Sequence, residues 1–185
     1  MSAVPRLTKP DPPLADDVVR LEPLAQRHAP DLLAIIEGDD DVFRFTRVPA
    51  DPDESFVRSW IKRYENGWTD GTCAGFAIED LGGTLLGFAS LVGLDLPASE
   101  AELGYLVDRR ERGRGIATRS LVLLTGWALD DVGLDRVELM IQPENTASAV
   151  VAERAGYTLE GVLRSKHIRD GRRADFGIWS RVATQ

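Results

Sequence analysis

The most constraining feature of this sequence is the segment at 101–118, AELGYLVDRRERGRGIAT, in which an apolar strand pattern runs into a glycine-containing loop and then into a helix. Gly113 and Gly115 let the backbone approach a ligand closely, and the first N–H groups of the following helix have no partner within it. The helix dipole adds partial positive charge at the same end. The segment therefore predicts an anion site, best suited to a phosphate or a pyrophosphate.

The charges of this loop support the same interpretation. The whole chain has 30 acidic and 22 basic side chains and a formal charge of −8, yet the loop sets four arginines against Glu111, which gives it a local charge of +3. The four are Arg109, Arg110, Arg112 and Arg114. A polyanionic ligand fits this local reversal of sign. A surface turn with solvated arginines is the alternative that the pattern leaves open.

Several classes of protein and of site are excluded. Thr118 stands where a GxGxxG dinucleotide motif needs its third glycine, and the Gly-Lys-Ser/Thr of a P-loop is absent. The acidic balance opposes a nucleic-acid partner, and no apolar run reaches the ~18 residues of a membrane span. With Cys73 as the single cysteine and two histidines, neither an internal disulfide nor a Cys/His zinc site is expected. Residues 1–17 lack the apolar core of a secretory signal, so we expect a cytoplasmic protein.

Hydrophobic periodicity predicts one α/β domain with the element order βααβββαβαββ. Residues 1–15, with four prolines, are expected to form a flexible tail, and residues 16–185 the domain. Three antiparallel-type strands, a β–α–β unit and a hairpin closing near Asp170-Gly171 predict a mixed, largely antiparallel sheet of about seven strands flanked by helices. The second predicted helix is expected to end at Gly67.

Four segments, taken in order, resemble a known family. Arg110-x-x-Gly113-x-Gly115, followed by Ile116-Ala117-Thr118, resembles the acyl-CoA-binding signature of the GCN5-related N-acetyltransferase (GNAT) superfamily, Gln/Arg-x-x-Gly-x-Gly/Ala. The other three segments are Glu-Leu-Gly-Tyr at 102–105, Asn-Thr-Ala-Ser at 145–148, and Ala-Gly-Tyr at 155–157 with Glu-Gly-x-Leu-Arg at 160–164. This set is most similar to the RimJ/RimL-like branch, which acetylates the N-termini of ribosomal proteins. The resemblance covers roughly residues 17–182.

The resemblance implies acetyl-CoA as the cofactor. It implies that the strand at 101–107 has a bulge and splays from the strand at 136–141. The pantetheine arm would lie in this gap, held by backbone groups around Leu106 and Val107 and contacted by Asn145. A backbone N–H of the splayed strand would polarise the thioester carbonyl. The pyrophosphate would lie on the backbone N–H groups of residues 112–117. The implied binding residues of the loop are Arg110, Arg112, Gly113, Arg114, Gly115, Ile116 and Ala117.

The proposed chemistry needs a base, because an amine must be neutral to attack a thioester and is mostly protonated at pH 7. A carboxylate can remove that proton directly or through water. Glu102 is the candidate, since strand alternation places it on one face with Gly104 and Leu106, and Gly104 leaves room for a substrate. An outward charge on an edge of the sheet is the alternative for Glu102.

The group that protonates the leaving thiolate is less evident. Many family members use a tyrosine seven residues after the asparagine, and this chain has Ala152 there. The branch implicates a serine three residues after it, here Ser148, for which local capping of the helix is the alternative. Asp175 either contacts the substrate amine or forms a salt bridge that anchors the turn of the final hairpin. Tyr157 is expected to pack.

Two functions from different classes follow. The first is an N-acyltransferase that moves an acetyl or larger acyl group to a primary amine by direct attack in a ternary complex. Its acceptor is a protein N-terminus, a polyamine, an aminoglycoside-like drug or an amino-acid derivative, and the net charge of −8 mildly favours a cationic one. The second is a non-catalytic acyl-CoA sensor that uses the same groove. A homodimer is compatible with this branch; neither nucleic acid nor a membrane is expected as a partner.

Overall fold

The protein, described by a computed structural model for residues 7–169 and 172–184, is built around one sheet. Its strands are β1 (Leu14–Ala15), β2 (Val19–Pro23), β3 (Ala74–Asp80), β4 (Leu85–Asp95), β5 (Glu100–Val107), β6 (Arg136–Ile141), β7 (Thr158–Arg169) and β8 (Arg172–Val182). Its α-helices are α1 (Ala29–Glu37), α2 (Asp40–Phe45), α3 (Glu54–Asp70), α4 (Ile116–Gly126) and α5 (Thr146–Arg154). The strand order across the sheet is β1-β2-β3-β4-β5-β6-β8-β7, in which β5 and β6 pair in parallel and the other neighbours are antiparallel.

This architecture confirms the predicted α/β fold and its mixed, largely antiparallel sheet. The predicted element order holds with two additions, β1 and α2, and the sheet has eight strands rather than about seven. β1 has two residues and α2 has six, so neither is long enough for periodicity to reveal it. The turn predicted near Asp170-Gly171 lies outside the described residues.

The described residues before β2, 7–18, lie against the domain. Leu7 is buried in the main core, and Leu14 of β1 pairs with Leu21 of β2. Arg119 of α4 binds the Asp16 carboxylate at 2.8 Å, which fastens this segment to the sheet. Residues 7–15 therefore differ from the flexible tail expected there, because the apolar surface of Leu7 and Leu14 is buried by the sheet face.

Helices cover both faces of the sheet. On one face α4 contributes Leu121 and Leu124, and its π-helical continuation contributes Trp127. On the other face α1 and α3 contribute Ile36 and Ile61. All five side chains are at most 3% exposed. The two layers enclose β4 and β5 at the centre of the sheet, and so give the segment at 101–118 a rigid support.

The helix α3 ends later than predicted. It begins at the N-cap Asp53, whose carboxylate accepts the Phe56 N–H at 2.7 Å, and it ends at Gly71, which has a φ of 69°. The end predicted at Gly67 is wrong, since the helix passes through that residue. A Cβ at Gly67 would clash with the Sγ of Cys73, so this glycine serves a close approach of the thiol rather than a helix end.

Candidate active site

A cleft opens where β5 and β6 part. The two strands pair over residues 100–102 and 136–138 only. From Leu103 onward β5 pairs with β4 alone, while residues 139–141 of β6 pair with β8 alone. Backbone groups on the two facing edges therefore lack strand partners beyond Glu102, which leaves them for a ligand.

The bulge implied in β5 lies in β4 instead. The register between β4 and β5 runs without a break from Glu102 to Val107. It shifts between Val92 and Asp95, where β4 contains one residue more than β5 and Gly93 has a φ of 61°. An extra residue in β4 bends the pair at the point where β5 leaves β6, so the strands separate without a bulge in β5 itself.

Strand alternation decides which backbone groups face the cleft. The Asp108 N–H donates to the Leu86 carbonyl at 2.8 Å, so the backbone groups of Leu106 point towards β4 by the two-residue period. The N–H and C=O groups of Tyr105 and Val107 then point towards the cleft. The backbone groups of Val107 therefore face the cleft, as expected. Those of Leu106 do not, and the backbone groups of Tyr105 face the cleft instead.

Ion pairs hold most of the arginines in the loop after β5. Arg110 binds the Asp108 carboxylate at 2.5 Å, which lowers the pKa of Asp108 below its ordinary value. Arg112 binds Asp39 and also Asp41, at 3.1 Å, and Arg114 binds Glu111. The local charge of +3 is therefore largely offset by neighbouring carboxylates, two of them from the start of α2. The side chains fix the shape of the loop rather than stand free as solvated cations.

The backbone of the loop forms an anion cradle over residues 113–118. The Arg112 N–H is used within the loop, at 3.4 Å from the Arg109 carbonyl, but the N–H groups of residues 113–118 donate to no atom of the described chain. Gly113 and Gly115 have φ values of 76° and 81°, and a Cβ at either would meet open space. Six unpaired donors at a helix N-terminus fit a pyrophosphate, as the motif predicts. Relative to the prediction, the free donors begin one residue later and include Thr118.

The first turn of α5 presents the two polar residues expected there. Asn145 is the N-cap, and its Oδ1 accepts the Ser148 N–H at 3.1 Å. Capping is therefore the task of Asn145, and the Ser148 hydroxyl is not needed for it. Ala152 of the same helix is fully buried, and its methyl group has no proton to donate, so this position supplies no acid to the cleft.

Tyr105 is a further candidate for the active site, although the sequence predicts no role for it. Its phenol lies 3.4 Å from the Ser148 carbonyl, on the face of the sheet that α4 and α5 cover. Burial raises the pKa of Tyr105 to about 12, and a hydrogen bond with the Ser148 side chain opposes that rise. The signal was present: alternation from Glu102 places Tyr105 on the opposite face, towards the serine.

Glu102 lies on the other face of β5, as alternation predicts, together with Gly104 and the buried Leu106. The sheet-edge alternative is wrong, because β5 is a central strand between β4 and β6. Burial raises the pKa of Glu102, and the nearby Glu138 adds to the rise, while the cations of Arg47 and Lys166 oppose it. The site thus contains a half-buried carboxylate with a strengthened affinity for a proton.

Asp175 anchors the last hairpin. Its carboxylate accepts the Ser165 N–H at 2.8 Å, and Ser165 has a φ of 55° within an irregular stretch of β7. Arg173 donates to the Ser165 carbonyl at 3.1 Å. Asp175 therefore anchors the hairpin through a backbone hydrogen bond, and the described residues show no salt bridge for it. The stretch that it fixes carries Lys166 towards Glu102.

Other parts of the described chain give no competing chemistry. A shallow groove of about 1000 Å³ runs along the outer side of α3, but none of the motif residues line it. Among residues 7–169 and 172–184, no cluster of histidine, cysteine and carboxylate side chains could hold a metal ion. None of the described helices is long and apolar enough to cross a membrane. Tyr157 packs as expected, with its phenol 2.6 Å from the Thr125 hydroxyl.

Comparison with known proteins agrees with the geometry. The family model of the acetyltransferase (GNAT) domain matches residues 19–158. A protein of Bacillus subtilis (strain 168) named "Putative ribosomal N-acetyltransferase YdaF" is 30% identical over 139 residues, which are 74% of this chain and 73% of the relative.

Solved structures of two relatives contain the cofactor. Mycobacterium smegmatis RimJ, in complex with CoA-disulfide, has a TM-score of 0.82 at 25% identity and covers 89% of this chain and 82% of its own. The microcin C7 self-immunity acetyltransferase MccE, in complex with acetyl-CoA and AMP, has a TM-score of 0.82 at 26% identity and covers 90% of this chain and 93% of its own. The chain therefore belongs to the GNAT family and is an acetyl-CoA-dependent N-acetyltransferase similar to RimJ.

Proposed function

We propose that the protein transfers the acetyl group of acetyl-CoA to the amino terminus of a peptide or protein by direct attack in a ternary complex. One observation carries this proposal: Glu102 lies on one face of β5, and Tyr105 with Ser148 lies on the other, at the point where β5 leaves β6. A proton acceptor and a proton donor on opposite sides of a cleft suit the two proton transfers of an acyl transfer to an amine.

Glu102 acts as the base. Bound acetyl-CoA supplies an activated thioester carbonyl, which a neutral amine can attack. Glu102 takes up the proton that the amine must lose, directly or through a water molecule. Because burial raises the pKa of Glu102, its carboxylate is a stronger base than that of an exposed glutamate, and the cations of Arg47 and Lys166 limit the rise.

Backbone and side-chain donors complete the site. The cleft-facing N–H groups of Tyr105 and Val107 are the candidates to stabilise the negative charge that develops on the carbonyl oxygen. The Ser148 hydroxyl donates a hydrogen bond to the departing thiolate and passes on to it a proton from a solvent water, so that no serine alkoxide is left. Asn145 holds the first turn of α5 by capping it, and Tyr105 binds the Ser148 carbonyl. Ser148 thus takes the role of the tyrosine that Ala152 replaces.

The acceptor class rests on the relatives. YdaF is named a ribosomal N-acetyltransferase, and a RimJ structure is among the neighbours. MccE was crystallised with AMP as well as acetyl-CoA, so small molecules are the second class of acceptor to test. The first acceptor to test is therefore a peptide with a free amino terminus, and small amines come second.

The test measures release of the CoA thiol from acetyl-CoA with a thiol-reactive dye. The matched acceptors are a peptide with a free amino terminus and the same peptide with that terminus acetylated. Neither peptide contains lysine. We expect thiol release and a single acetylation, seen by mass spectrometry, with the first peptide only. Binding of acetyl-CoA without turnover on any peptide or small amine would support the non-catalytic sensor instead.

A further inference from the structure

Two cations border the acceptor side of the cleft, and we call them the basic rim: Arg47, in the segment between α2 and α3, and Lys166, in the irregular stretch of β7. Both lie close enough to Glu102 to act on the pKa of its carboxyl. Arg47 also donates to the Nε2 of His167 at 3.1 Å, which connects the two segments over the same face of the sheet.

The charges of the basic rim are not paired off within the described chain. The Nε2 of His167 accepts a hydrogen bond from Arg47 and so carries no proton, which makes that ring neutral. Neither Arg47 nor Lys166 forms a salt bridge with residues 7–169 or 172–184, whereas Arg112 and Arg136 each bind two carboxylates or more.

The nearby carboxylates form no salt bridge with the basic rim among the described residues. Glu102 and Glu138 both act on this side of the sheet. Arg136 binds Glu138 at 2.5 Å, but it also binds Glu100 and Glu160. The two cations of the basic rim therefore remain available to an anionic group of the acceptor. The net charge of −8 acts on this place only weakly, because salt screens charges beyond about 8 Å at physiological ionic strength.

We propose that the basic rim binds a carboxylate of the acceptor, so that the preferred substrate is a peptide whose amino terminus is followed closely by aspartate or glutamate. This inference rests on the proposed function and names its substrate class. It reverses the preference for a cationic acceptor that the net charge alone suggests. The amine reaches Glu102, while the acidic side chain lies against Arg47 and Lys166, the two cations that no described carboxylate binds.

The test compares two peptides that differ only by aspartate or asparagine at their second and third residues. For the wild-type enzyme we expect kcat/KM to favour the acidic peptide by about tenfold, the scale of one partly exposed charge contact. Arg47→Gln and Lys166→Gln should each reduce this ratio severalfold. Arg63→Gln removes an equal charge from the exposed side of α3, away from the cleft, and should leave the ratio unchanged.

Equal kcat/KM for the two peptides in the wild-type enzyme would overturn the inference and leave the acetyl transfer intact. So would a ratio that neither Arg47→Gln nor Lys166→Gln alters. If no peptide is acetylated at all, the proposed function fails, and calorimetry with the acidic peptide and saturating CoA decides the inference. Binding that weakens in both variants then supports the basic rim, and absence of binding refutes it.

Discussion

The phenol of Tyr105 donates a hydrogen bond to the backbone carbonyl of Ser148, at an O···O distance of 3.4 Å. The contact joins β5 to the first turn of α5 beside the opening between β5 and β6. Burial raises the pKa of Tyr105 to about 12, so the phenol keeps its proton throughout the neutral range. Tyr105 is therefore suited to be a positioning residue for Ser148.

Tyr105→Phe should lower kcat and leave the KM for acetyl-CoA nearly unchanged. The substitution removes one hydrogen bond of about 1 kcal/mol and keeps the ring, which corresponds to about a fivefold loss in kcat if the bond orients Ser148. Steady-state kinetics with acetyl-CoA varied at saturating peptide separate the two constants. Tyr157→Phe is the matched control, because its buried phenol binds Thr125 at 2.6 Å and should affect stability but not kcat.

Ser148→Ala should slow turnover while the Kd for CoA, measured by calorimetry, stays within about twofold, since the cap from Asn145 uses the Ser148 backbone and survives. Thr146→Ala, at an exposed position of the same turn, is the control and should behave as wild type. Adding Tyr105→Phe to Ser148→Ala should cost no further activity, because the two residues act as one unit. Fully additive losses of activity would show that Tyr105 and Ser148 act independently.

Local signals predicted the parts of the site that depend on neighbours in sequence. The alternation in β5 places Glu102 and Gly104 on one face, and an asparagine directly before a helix, such as Asn145, is a typical cap. The glycine loop before α4 announced a cradle of free N–H groups. Each of these follows from backbone geometry over a few residues, so the printed sequence contains all the information needed.

Long-range contacts account for what the sequence did not predict. The sequence predicts Arg112 as a free cation of the loop. In the structure α2, which is too short to be predicted from periodicity, brings Asp39 and Asp41 to it. Gly67 is typical of a helix end, but here it allows the close approach of the Cys73 thiol. Arg47 approaches Glu102 through a fold that brings together residues far apart in sequence. No pattern within one element encodes such contacts.

Gly115→Trp should abolish measurable binding of CoA. A side chain at this position enters the open space in front of the free N–H groups, and hydrogen bonds to a charged phosphate are lost, so we expect affinity to fall by at least about tenfold. Calorimetry measures this directly. Gly133→Trp is the control, because Gly133 has nearly the same φ, 82°, and the same open surroundings but lies outside the loop. Equal affinities of the two variants for CoA would show that the free N–H groups of the loop do not bind the cofactor.

Glu102→Gln should reduce kcat/KM for the amine by about a hundredfold, the lower range for loss of a general base. In the wild-type enzyme the raised pKa of Glu102 places the acid limb of the pH profile above the ordinary glutamate value of 4.5, and the variant should lose that limb. Glu100→Gln, on the same strand with a more exposed side chain, should keep both the rate and the limb. A wild-type profile in Glu102→Gln would remove Glu102 as the base.

The same substitution should make the protein more stable at neutral pH. Because burial raises the pKa of Glu102 in the folded state, the ionised carboxylate disfavours folding, and the cost is present above the raised pKa. As the pH falls below 4.5, Glu102 becomes protonated in both the folded and the unfolded chain, and the cost disappears. The thermal midpoint of Glu102→Gln should therefore exceed that of the wild type at pH 7 and approach it near pH 4. A lower midpoint at pH 7 would mean that the ionised carboxylate stabilises the fold. The raised pKa on which the proposed role of Glu102 as a base depends would then be refuted.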